Sequence, residues 1–112
     1  MVVRKTYIPD RGDVLWINFD PTRGHEQSGR RPAVVLSSKI YNAPARLLLA
    51  CPVSSRVKGY PYEVILTGTI DGVALVDHVR SLDWSIRPIK KVGAVSEAAL
   101  LEIQTKLKLL LL

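Results

Sequence analysis

The chain has one cysteine, Cys51, and no Cys-x-x-Cys pair or Cys/His set at zinc spacing. An internal disulfide framework and a structural zinc site are therefore excluded. Cys51 ends the apolar run Leu47-Leu48-Leu49-Ala50-Cys51, where a buried, inert thiol is expected. Aromatic residues make up only 6% of the chain, so Trp16, Trp84, Phe19 and the four tyrosines each matter to packing or binding. No apolar run is long enough to span a bilayer, because Lys106 and Lys108 interrupt the C-terminal leucines. The segment Met1-Val2-Val3-Arg4-Lys5 lacks the apolar core of a secretory signal, so a cytoplasmic protein with no membrane partner is expected. Acidic residues are outnumbered, 10 Asp and Glu against 16 Lys and Arg, which leaves a net charge of +6. Such a balance favours a polyanionic partner.

A chain of 112 residues suits a single domain, residues 1–112. An apolar content of 47% is enough for one core. A domain this small often gains from oligomerising. Residues 13–19 alternate, with Leu15, Ile17 and Phe19 on one face of a predicted strand. Trp16, on the other face, suits core, interface or a base-stacking platform, and an interface is favoured. Residues 33–37 form a short apolar run, predicted as a strand buried on both faces. Residues 38–45 break the pattern and are expected to form a loop with at most one helical turn. Further strands are predicted over 46–53, 62–66, 73–79, 80–86 and 91–95, with Asp71-Gly72 as a turn signal. Ser96 is a good N-cap for a helix over 97–110. Its stripe, Leu100, Ile103, Leu107 and Leu110, is expected to lie on the sheet. Many short strands with Gly/Pro turns and one terminal helix indicate a small antiparallel β-barrel.

The chemistry concentrates in residues 20–32, Asp-Pro-Thr-Arg-Gly-His-Glu-Gln-Ser-Gly-Arg-Arg-Pro. That connection is long for a small domain, and such connections are often functional. It holds an imidazole (His25), a carboxylate (Glu26), an amide (Gln27) and three guanidiniums (Arg23, Arg30, Arg31). A general base beside cations that can grip a phosphate is thus available. A second polar, basic loop follows at residues 54–61.

Three blocks occur in order: Gly12-Asp13-Val14-Leu15-Trp16 through Phe19-Asp20-Pro21-Thr22, Gly24-His25-Glu26-Gln27 and Gly29-Arg30-Arg31-Pro32-Ala33-Val34-Val35-Leu36; Cys51-Pro52-Val53-Ser54-Ser55 with Lys58-Gly59-Tyr60-Pro61-Tyr62-Glu63-Val64; and Asp71-Gly72-Val73-Ala74-Leu75-Val76-Asp77-His78-Val79. Together they resemble the MazF/PemK/Kid toxins of bacterial type II toxin–antitoxin systems, nearest to the MazF branch. The resemblance implies an SH3-like antiparallel barrel with a C-terminal helix. It implies a homodimer and a metal- and cofactor-independent endoribonuclease of single-stranded mRNA, whose cleavage leaves a 2′,3′-cyclic phosphate and a 5′-hydroxyl. It also implies a cognate antitoxin with an acidic C-terminal tail, with DNA met only indirectly through the toxin–antitoxin complex.

Mapped residue by residue, the resemblance makes Arg31 the expected stabiliser of the transition state. Glu26 is favoured as base, with His25 as the competing candidate. Ser54 stands where the family often has threonine. Arg23, Gln27, Arg30, Ser55, Arg56 and Lys58 are candidate substrate contacts. Asp77 matches a carboxylate implicated in Kid-like toxins, but Leu75 replaces the arginine of that branch. A substrate-contact or structural role for Asp77 is preferred. Two rivals remain: a CcdB-like, non-catalytic DNA gyrase poison on the same fold, and an SH3-like binding module without chemistry.

Overall fold

The computed structural model describes residues 7–20, 24, 29–68 and 70–112. Strand β1, Asp13–Asn18, follows the alternation in its sequence. Leu15 and Ile17, with Phe19 just beyond, enter one core together with Leu48, Leu82 and Trp84. β2, Arg30–Val35, pairs antiparallel with β1. It begins three residues before the apolar run, because β1 offers ladder partners as far as Asn18, opposite Arg30. Its second half is buried on both faces as expected. Ala33 and Val35 join the first core, while Val34 and the following Leu36 join a second.

Residues 39–45 are a helix, α1 (Lys39–Ala45), rather than the expected loop. Ser38 caps it, its hydroxyl accepting the Ile40 N–H at 3.2 Å. Tertiary contacts hold it in place. The buried Asn42 side chain donates to the Pro9 and Ser37 carbonyls (2.8 and 2.9 Å), and the Asn42 backbone carbonyl accepts the Trp84 indole N–H at 2.9 Å. Pro9 and Trp84 lie far along the chain, so no local periodicity announces the helix.

β3, Leu47–Ser54, is central. It pairs with β2, with β5 (Gly72–Leu75) and with β6 (Arg80–Asp83). β4, Glu63–Leu66, forms a hairpin with β5. β5 is shorter than predicted, because the chain turns into a 3₁₀ helix at Val76–His78. Gly72 opens this strand rather than occupying the turn. β6 also stops early, at Asp83, whose carboxylate accepts the Ser85 N–H and hydroxyl (2.9 and 2.6 Å) and closes a turn. β7, Ile89–Ala94, starts ahead of the expected Lys91, because Ile17 and Trp16 pair with Ile89 and Lys90.

The strands run β4-β5-β3-β2-β1-β7, with β6 on the other half of β3. Among the described residues this path is open between β4 and β7, so the expected barrel is not closed by strand pairing. Helix α2, Glu97–Leu111, packs against β4, and the Lys106 ammonium meets the Glu63 carbonyl at 2.9 Å. Ser96 caps α2 as expected, accepting the Ala99 N–H at 3.1 Å. Ile103 is fully buried in the second core, with Ala99 and Leu107 beside it. The stripe fades beyond that point, and Leu110 is exposed.

Candidate active site

The site is built from β2, reached through the first of two connections, from the second connection and from one turn. The first joins β1 to β2, and its ends are tied together. The Phe19 N–H donates to the Gly29 carbonyl (2.9 Å), and the Gly29 N–H donates to the Asp20 carboxylate (3.0 Å). From β6, the Arg80 guanidinium donates to the Phe19 carbonyl at 2.7 Å and lies 5.8 Å from the Phe19 ring. Arg23, His25, Glu26 and Gln27 lie outside the described residues.

The second connection runs from β3 to β4. Ser54, at the end of β3, accepts the Arg56 N–H on its hydroxyl at 3.1 Å. The buried Glu63 carboxylate accepts the N–H groups of Lys58 (3.1 Å) and Gly59 (3.0 Å). A carboxylate accepting two backbone N–H groups fixes a loop strongly, since bonds to a charged acceptor are the stronger kind. The Lys58 ammonium lies 5.6 Å from the Tyr60 ring.

The turn follows β5. Val76 is buried and its N–H donates to the Tyr62 carbonyl at 3.1 Å, which anchors Asp77 and His78. β5 reaches β3 closely at Ser54. A Cβ on Gly72, whose φ is +147°, would fall 2.5 Å from the Ser54 carbonyl oxygen.

β2, the β3–β4 connection and the turn after β5 line a cleft of about 560 Å³. It is lined by Arg31, Ser54, Ser55, Arg56, Lys58 and Asp77, all singled out from the sequence. Tyr60, Glu63, Leu75 and His78 complete the lining and were missed. Tyr60 carried a readable signal, an aromatic beside basic residues. His78 is one of only two histidines. Glu63 carried none beyond opening a strand. Arg30 is not part of this cleft. Successive strand residues face opposite ways, and its guanidinium lies 6.0 Å from the Trp16 ring, in a shallow groove with Lys90.

Three cations thus share a concave surface with hydroxyls, two carboxylates and an imidazole. Guanidinium and ammonium groups bind phosphate oxygens, the former bidentately. A linkage held there has proton-transfer groups within reach of the same space.

The model of the PemK-like, MazF-like toxins of type II toxin–antitoxin systems matches residues 10–111. The chain belongs to this family. It is 47% identical over 106 residues to the endoribonuclease toxin MazF of Escherichia coli strain K12, covering 94% of this chain and 96% of that one. The crystal structure of MazF from Deinococcus radiodurans superposes with a TM-score of 0.90 at 50% identity, over 94% of this chain and 97% of that one. A MazE–MazF crystal structure from the same organism gives a TM-score of 0.82 at 45% identity, over 94% and 96% of the two chains. The antiparallel sheet with its C-terminal helix is therefore the MazF-type fold. Among the described residues no helix is long and apolar enough to cross a membrane.

Proposed function

We propose that this MazF-like chain is the toxin of a type II toxin–antitoxin system and an endoribonuclease that cuts single-stranded mRNA, arresting translation and growth. The supporting observation is the cleft, where Arg31 from β2 shares one surface with Ser54, Ser55, Arg56 and Lys58 from the β3–β4 connection. In the proposed reaction the RNA's own 2′-oxygen attacks the adjacent phosphorus. A 2′,3′-cyclic phosphate forms and the 5′-oxygen departs, with no metal or cofactor in the scheme. Arg31 neutralises the phosphorane, and Ser54 hydrogen-bonds a phosphate oxygen. Arg56, Lys58 and Ser55 hold flanking phosphates, and Asp77 contacts the substrate. Glu26 takes the 2′-proton, with His25 the alternative base; Arg30 touches the RNA outside this cleft, and Arg23 and Gln27 are further RNA contacts.

Residues 1–112 act as one unit, the active species is a homodimer, and the location is cytoplasmic. The cognate antitoxin lays an acidic C-terminal tail along the basic cleft, and DNA is met only through that complex. The test is incubation of the pure protein with single-stranded RNA in EDTA, followed by end-group analysis. Cyclic-phosphate and 5′-hydroxyl ends are expected. Uncut RNA with trapped gyrase would overturn this in favour of a gyrase poison, and salt-sensitive RNA binding without cleavage would leave only a binding module.

A further inference from the structure

Cleavage by an internal 2′-oxygen needs two proton transfers, one from the nucleophile and one to the leaving 5′-oxygen. Among the described residues, the cleft holds three cations but few groups that release a proton near neutral pH. Guanidinium and ammonium groups hold theirs too tightly, phenols ordinarily titrate near ~10 and carboxylates are ordinarily already ionised. Imidazole is the side chain whose ordinary charge change falls between about pH 5 and 8. On the β5 side the cleft wall is Leu75, which carries no proton to give. His78 follows three residues later and lines the same cleft as Arg31 and Ser54.

Its placement is firm. The 3₁₀ turn that carries it is pinned by buried Val76, by the bond from the Val76 N–H to Tyr62 and by the 3.3 Å bond from the Val79 N–H to the Val76 carbonyl. Groups on rigid elements keep the tolerances that proton transfer requires. The charged and titratable groups sharing the cleft with it are Arg31 of β2, Arg56, Lys58 and Tyr60 of the β3–β4 connection, Glu63 of β4 and Asp77 of the same turn. From α2, Lys106 is engaged by the Glu63 carbonyl and Glu102.

We infer that His78 is the general acid of the reaction, a catalytic residue placed to protonate the departing 5′-oxygen. This assignment rests on the ribonuclease activity proposed above. The 2′-oxygen forms its bond to phosphorus as the bond from phosphorus to the 5′-oxygen breaks. The electron pair of the broken bond goes to the 5′-oxygen, which takes a proton from the His78 imidazolium and leaves as a hydroxyl. The imidazole recovers its proton from water, and no oxidant or reductant enters.

The test compares an RNA that the wild type cuts with the same RNA carrying sulfur in place of the 5′-oxygen at the mapped cleavage point. A thiolate leaves without protonation. His78→Ala and His78→Gln should both lose on the order of 10²-fold in kcat on the ordinary linkage and match the wild type on the thio linkage. Glutamine keeps hydrogen bonding but transfers no proton, so rescue by His78→Gln would reduce the residue to a structural role. Equal losses on both linkages, or no loss on either, would also overturn the assignment. A wild type inert toward every RNA would instead sink the ribonuclease reading beneath it.

Discussion

Gly72 shows how much of the site rests on single atoms. Its missing side chain lets β5 lie against the Ser54 carbonyl, and its φ of +147° disfavours any L side chain. Gly72→Ala should therefore cost about 1–3 kcal/mol. It should also displace Ser54, so RNA cleavage should fall by more than the folded fraction does. Urea melts and kinetics on the same sample check both outcomes. Cys51 makes the opposite point. It is fully buried among apolar side chains, and that burial pushes its thiol up to about 12. The thiolate is the reactive form. In the native protein Cys51 should ignore a disulfide reagent at mildly alkaline pH and react as one thiol once the chain is unfolded. Rapid labelling of the native state would contradict its place in the second core.

At the scale of elements, α2 depends on one cap and one anchor. Ser96→Ala leaves the Ala99 N–H without its side-chain partner. It should lower stability by about 1 kcal/mol, read as a shifted urea midpoint at unchanged slope, with Ser96→Asp retaining most of it. The sequence was most legible where a local period decides the outcome. The alternation of Leu15 and Ile17, the two-faced burial of β2 and the helical spacing around Ile103 all emerged as expected. It was least legible where distant partners decide. α1 is held because Asn42 bonds Pro9 and Trp84, and β2 begins at Arg30 because Asn18 is there to pair with it. β5 stops at Leu75 because Val76 turns toward Tyr62. The site followed the same rule. Arg31, Ser54 and Lys58 were visible as residue types, whereas Glu63 as holder of the β3–β4 connection, and His78 as a wall of the cleft, became visible only once the chain was folded.

Across the whole molecule the net charge is +6, and three of the cations, Arg31, Arg56 and Lys58, share one concave place. Counterions released from RNA on binding make such contacts weaken with salt. With Arg31, Arg56 and Lys58 each meeting one phosphate, log kcat/KM against log salt should fall with a slope of about −2, from roughly −0.7 per single-strand phosphate. A flat profile would leave the cleft's cations without a polyanion to hold. The account as a whole stands on Arg31, the guanidinium that β2 delivers into the cleft beside Ser54. The most direct measurement is the cleavage rate of single-stranded RNA by Arg31→Ala, with folding monitored by circular dichroism. Removing one preorganised donor of this kind should lower kcat by about 10²–10³-fold with the fold intact. Cleavage at the wild-type rate would contradict the account.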